Sequence, residues 1–523
     1  MRGGECVRRR GIVTRRAAGL GAVVAIALLA GCGGSGASVK PPGYVQAELE
    51  TSPISLDPRL ATDAISTRVS ELIFESLMEL DARGNYIGGL AENFQRLSPT
   101  EIRFNLRRGI RFSDGRPLTA ADVKYTYESV MDAAVASPKR AALEPLASVA
   151  APDDYTIVMT TRRPYAAAME LATIGVVPRG SPVRGAALPP GSGRFRLDSF
   201  TRDESLILAR NGARPAADAI AGVVFKIVPD PTVRALELAK GVADFAENNI
   251  QPDLLRYLRA RPELSVRQFP GTAYDYIAFN FRDPRLRDVR VRRAIALAID
   301  RDAIVRAMLL GTARVASGMI APENWAFESD VTRYHYDPEA ARRLLDQAGY
   351  PEPAGNSRRM RFTLVYKTTP EGRRLAEAFQ AMLKRVGIGI DIRSNEWATF
   401  YSDVQRGNFD LTSMRWVGII DPHHYYQVFD SRMVPPHGLN RGAYANPAMD
   451  RLLEAAEVAF EPARRREIYA EVQRLAADDL PYVSLWWQDN VVVMSKRIAG
   501  FAPYPNGSLI SFSDLVFDSG AAR

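Results

Sequence analysis

Residues 274–300 read YDYIAFNFRDPRLRDVRVRRAIALAID, an aromatic and β-branched run that turns into a helical pattern within a few residues. The first seven residues have strand composition and end at Asn280. Beyond Asp288, the residues Val291, Ala294, Ile295, Ala298 and Ile299 recur at helical spacing, and Asp300 caps a second helix ending near Gly311. Strand followed directly by helix is the unit of an α/β architecture. The same alternation extends to both sides. Strands are predicted at 155–161, 222–228, 360–366, 389–393, 409–416, 482–487 and 491–494, each bounded by Gly, Pro, Asp or Asn. Asp337-Pro338 and Asn446-Pro447 each supply an N-cap followed by Pro at the first helical position. At 523 residues the chain exceeds what one hydrophobic core holds, so more than one domain is expected.

The N-terminus has a different character. Arginines 2, 8, 9, 10, 15 and 16 precede fourteen apolar residues, 17–30, and the run closes as LAGC at Cys32. Fourteen residues are too few to span a bilayer core of about 30 Å but suit the apolar region of a signal peptide. Residues 1–31 are therefore expected to be a signal peptide. The LAGC ending resembles the bacterial lipobox, which would make Cys32 the lipidated first mature residue. Gly, Ser and Pro then dominate 32–43, the composition of a flexible tether. Most of the formal net charge of +8 lies in this leader, so it is an address label and not a nucleic-acid footprint. The only other cysteine is Cys6, which leaves no thiol, disulfide or iron–sulfur chemistry in the mature chain.

Catalytic signatures are missing. There is no G-x-S-x-G elbow, Walker A loop, H-E-x-x-H or helix-opening G-x-G-x-x-G. Gly191-Ser192-Gly193 reads as a tight turn. Asp421-Pro422-His423-His424, with His437, is the one metal-like grouping, but adjacent histidines diverge and no i, i+4 spacing occurs. Pocket or loop histidines are expected there, with no metal and no cofactor. Arg290, Arg292 and Arg293 are expected to face solvent from an amphipathic helix. Aromatics at strand ends (Tyr274, Tyr276, Trp397, Trp416, Tyr425, Tyr426, Trp486 and Trp487) divide between core and the wall of an organic-ligand pocket.

Several short motifs occur in a characteristic order: Leu56-Asp57-Pro58, Ile73-Phe74-Glu75-Ser76-Leu77, Leu90-Ala91-Glu92-Asn93-Phe94 and Phe104-Asn105-Leu106 through Ser113-Asp114-Gly115. Gly191-Ser192-Gly193, Gly241-Val242-Ala243-Asp244, Phe279-Asn280, Asp288 to Arg292, Asp300-Arg301 and Trp416 with Asp421-Pro422 complete the series. Together they resemble the family 5 solute-binding proteins of ABC importers, the oligopeptide-, dipeptide- and nickel-binding type. The resemblance implies a two-lobed α/β periplasmic-binding-protein fold of type II, in its large form with an extra subdomain, joined by a hinge. Lobe I would take 44–268 plus 488–523, with the subdomain near 75–185, and lobe II would take 269–487. It implies an exported, membrane-anchored receptor that performs no covalent chemistry. Such a receptor would enclose a peptide or similar solute and deliver it to permease and ATPase subunits. A surface lipoprotein hydrolase, and a sensor or interaction lipoprotein on the same fold, are the competing readings. In peptide-binding relatives, an Asp three residues after the Trp holds the peptide amine; here that position is Ile419. The resemblance assigns Tyr276, Asn280, Arg415, Trp416, Ile419, Asp421, His423, Trp486 and Gln488 to the ligand site.

Overall fold

Two long strands, Leu264–Phe279 and Tyr482–Ser495, run antiparallel through the middle of the molecule. Sixteen residues of extended chain reach roughly 50 Å, enough to take part in two separate cores. In this computed structural model, which describes residues 40–185, 187–212, 219–248, 250–352 and 361–518, they do so. Val492 and Met494 are buried with Val45, Phe225, Phe245 and Phe512. A few residues earlier, Leu485 and Trp486 are buried with Ile295, Leu364 and Phe379. The chain from Pro42 onward forms one compact unit whose two lobes share these strands.

The ladder is interrupted where the strands pass from one core to the other. Leu264–Phe269 pairs with Asn490–Ser495, pairing resumes at Ala273 opposite Gln488, and the register shifts between them. Gly271 lies in the gap, where a Cβ would stand 2.4 Å from the Gln488 carbonyl oxygen, so only glycine fits. The sequence reading places two strands at 482–487 and 491–494; they are one, because the chain stays extended through Gln488–Asn490: Gln488 lies opposite Ala273, Asn490 lies opposite Phe269, and the Asp489 N–H between them donates to the Thr312 carbonyl.

From this pair the sheet extends both ways. On one side lie Leu411–Trp416, Phe362–Thr368 and Ile388–Ser394; on the other lie Phe245–Glu247, Tyr44–Leu49, Gly222–Ile227, Ser205–Arg210 and Phe195–Thr201. Helices form where their start signals stand. Asp337 caps Pro338–Gln347 by accepting from Ala340, and Asn446 caps Pro447–Glu457 by accepting from Ala448. Asp288 and Asp300 cap Val289–Ala298 and Arg301–Ala307.

A four-stranded antiparallel sheet stands apart with its own core, in the order Ala91–Ser98, Glu101–Leu106, Thr156–Thr161, Leu146–Asp153. Helix Ala120–Met131 lays Val123 and Tyr127 on it.

One expectation is corrected. Arg292 does not face solvent: it is buried and donates to the carbonyls of Leu286, Arg287, Asp479 and Leu480, where two helix ends converge. Unsatisfied terminal carbonyls are natural partners for a guanidinium. Arg290 stays exposed beside Asp288. The signal peptide, Cys32 and most of the tether lie outside the described residues. Among the described residues no helix is long and apolar enough to cross a membrane.

Candidate functional site

Strand alternation separates the residues named from sequence. Tyr274 lies opposite Trp416, Asp275 opposite Arg415, and Tyr276 opposite Met414. One face therefore carries Tyr274, Tyr276 and Trp416, and the other carries Asp275 and Arg415. On the first face Tyr276 stacks on Tyr482 at 4.2 Å, on Tyr274 at 5.6 Å and on Trp416 at 5.8 Å. Trp416 is half-buried and meets His424 edge-on at 4.7 Å. On the second face, exposed Arg415 pairs with Asp275 at 3.0 Å and donates to Gln488 Oε1 at 3.3 Å. Trp486 is buried in the apolar core beneath, and Gln488 Nε2 donates to the Thr312 carbonyl. Asn280 is buried and holds a loop, its Nδ2 donating to the carbonyls of Gly407 at 2.8 Å and Phe409 at 2.7 Å.

After Trp416 the chain enters a seam against the small subdomain. Ile419 is 6% exposed among Tyr425, Tyr426 and Tyr469. Asp421 accepts from the His423 backbone at 2.8 Å and from both terminal nitrogens of Arg465, at 3.0 and 2.6 Å. His423 packs edge-on against Tyr165 of the subdomain at 5.2 Å. Burial lowers its proton affinity to a pKa of about 4, with Asp421 opposing and Arg465 and Arg163 reinforcing. Burial likewise lowers His424 to about 3, assisted by His423 and Arg441. Both are neutral at pH 7.

Further bonds close the seam. Arg163 pairs with Glu457 at 2.8 Å, the Ala166 N–H donates to the Glu457 carbonyl at 2.7 Å, and Arg96 covers the Phe460 ring at 4.3 Å. A cavity of about 250 Å³ remains between the two sides, walled by Tyr86, Arg96, Ala166, Trp325, Asp421 and Arg465. Glu170 reaches the same cluster. Burial and the Asp421 carboxylate push it well above the usual carboxylate range, with Arg465 opposing. A buried carboxyl of raised proton affinity beside a second carboxylate suggests acid–base chemistry. Arg465, however, occupies both oxygens of Asp421, so this pair is built to hold and not to transfer protons. Among the described residues no group of three or more His, Cys, Asp or Glu could hold a metal ion.

Sequence reading passes over Arg441. It is buried, lies 4.6 Å from the Trp416 ring centroid and 5.3 Å from that of Tyr401, and has no ion pair among the described residues. No motif marks it. Its neighbours come from a helix and two strands that meet only in the fold.

The model of bacterial extracellular solute-binding proteins, family 5 middle region, matches residues 85–432. A probable di/tripeptide-binding protein of Pseudomonas aeruginosa is 28% identical over 504 residues, covering 88% of this chain and 93% of its own. The dipeptide-binding protein of Escherichia coli is 26% identical, covering 88% and 92%. Among solved structures, NikA of Brucella suis in complex with Fe(III)-EDTA superposes with a TM-score of 0.83 at 22% identity, covering 91% of this chain and all of that one. The oligopeptide-binding protein AppA of Bacillus subtilis, in complex with a nonapeptide, gives 0.78 at 22% identity, covering 91% and 99%. At such identities the structures establish the fold, and the curated relatives are named as binding proteins and not as enzymes.

Proposed function

This chain belongs to the bacterial extracellular solute-binding proteins of family 5, and on that premise we propose that it is the lipid-anchored receptor of an ABC importer for peptides or peptide-sized solutes. The observation that carries this reading is likeness along nearly the whole mature chain to relatives named for di- and tripeptide binding. The receptor is exported, held to the membrane through Cys32, and delivers its solute to permease and ATPase subunits. The crossing strands serve as the hinge between 44–268 with 488–523 and 269–487. A ligand favours the closed state through contacts that exist only when both lobes face it.

The arrangement around Ile419 bears on which solutes suit. A ligand ammonium there would meet an apolar aromatic wall, and the nearby Asp421 is already taken by Arg465. An unpaired buried charge costs on the order of 3–5 kcal/mol when its partner is missing. Free-amine peptides are therefore expected to bind at least about a hundredfold more weakly than their N-acetylated counterparts. Calorimetry on matched pairs measures this, and a tight free-amine complex that collapses in Asp421→Asn would transfer the anchoring role to Asp421. Small-angle scattering should show a more compact particle at saturation, with the ligand recovered unchanged. Cys32→Ala should release the protein from the membrane fraction or block its processing; a variant that fractionates like wild type would refute the anchor.

A further inference from the structure

Four arginines are buried below a tenth of their surface among the described residues: Arg59, Arg234, Arg292 and Arg441. The first three are answered by strong acceptors. Arg59 pairs with Asp57 at 2.7 Å and donates to the carbonyls of Ser181 and Pro182. Arg234 donates to the carbonyls of Val228 and Pro229. Arg292 reaches four carbonyls, as described above. Arg441 has none of this. Its terminal nitrogens come no nearer than 3.4 Å to the Tyr401 hydroxyl and 3.5 Å to the Tyr276 hydroxyl and the Met414 sulfur, and its Nε has no hydrogen-bond partner.

Its surroundings are equally unfinished. The Trp416 indole N–H and His424 Nε2 are buried without hydrogen bonds. The aromatic walls continue to the surface, where Trp397, 58% exposed, stacks on Tyr401 at 5.6 Å. A guanidinium gripped on its flat faces by aromatic rings keeps its N–H edge for a planar acceptor, and a carboxylate fits that edge with two parallel bonds. Leaving such a cation unanswered is costly, and the cost is recovered when a ligand supplies the anion.

Resting on the receptor reading above, we infer that Arg441 is the seat for a carboxylate of the captured solute, with Trp416 and Trp397 flanking the apolar part beside it. The solute class is thus an organic anion. In a peptide the carboxylate comes either from the C-terminus or from an acidic side chain.

Three N-acetylated tripeptide pools test this, with retention by the full-length protein read by mass spectrometry. One pool has free C-termini, one has the same peptides amidated, and one is amidated with Glu at the centre. Wild type is expected to hold at least one carboxylate-bearing pool about a hundredfold better than the neutral amides. The pool that wins identifies which carboxylate is used. Arg441→Gln should erase the preference, and Arg441→Lys, which keeps the charge without the fork, should retain part of it. Equal retention of acids and amides by wild type overturns the inference whether or not the variants fold, as does a preference that survives in Arg441→Gln. If wild type retains no pool, the peptide reading fails, and phenylacetate against phenylacetamide then tests the seat alone. A thermal shift produced by phenylacetate in wild type but not in Arg441→Gln supports it. Equal shifts, or none, refute it.

Discussion

The subdomain seam and the aromatic crevice around Trp416 each bury an arginine, yet they treat its charge in opposite ways. In the seam, Arg465 takes both oxygens of Asp421 and its ring neighbours Trp325 and Tyr469 are already in place. In the crevice, Arg441 has the rings but no acceptor of comparable strength. A satisfied buried network rigidifies the parts that meet there, whereas an unsatisfied one stores an affinity for something else. The seam thus has the chemistry of a clamp and the crevice that of a binding site.

The largest expected effect comes from removing the clamp's cation. Arg465→Met leaves Asp421 and Glu170 without their countercharge, and should cost about 3–5 kcal/mol in chemical denaturation. The double variant with Asp421→Leu should recover most of that loss. A cost below about 1 kcal/mol for Arg465→Met would remove the distinction between the two regions.

Acid should weaken the seam next. His423 titrates near 4 in the folded protein against 6.5 for the free side chain, so the unfolded chain binds the proton more readily. Its contribution is complete above about pH 6.5 and is lost as pH falls toward 4. A depression of this size corresponds to roughly 3 kcal/mol at full titration. Urea midpoints measured from pH 7.5 to 4 should fall more steeply in wild type than in His423→Gln. Parallel profiles would mean that the ring is not held neutral by the seam.

Smaller effects follow at the rim. Arg163 is 45% exposed where it pairs with Glu457, so solvent screening limits Arg163→Ala to about 1 kcal/mol. Arg96→Ala, which uncovers the Phe460 ring, should cost about 0.5 kcal/mol. Either change costing as much as Arg465→Met would place the strength of the seam at its edge and not at Asp421.

What could be read from the residues follows a clear physical division. Asp337-Pro338 and Asn446-Pro447 start helices where they stand because capping involves a side chain and backbone groups two or three residues away. The 274–300 stretch forms a strand and then a helix because periodicity in burial is set by local backbone geometry. The order of motifs was sufficient for the family and hence for a two-lobed α/β fold. Interactions between distant residues were not accessible in this way. Arg292 looked like a solvent-facing residue until carbonyls from 286–287 and 479–480 converged on it. Trp416 and Arg415 are adjacent, yet strand alternation sends them to opposite faces, one toward the crevice and the other to Asp275. Arg441 carried no signal at all, since its neighbours at 276, 401 and 416 are brought together from three separate elements. Local structure follows from hydrogen bonds and torsions spanning a few residues, so the sequence alone determines it. Whether a buried charge finds a partner depends on which distant side chains arrive within about 3 Å, and the folded chain alone settles that.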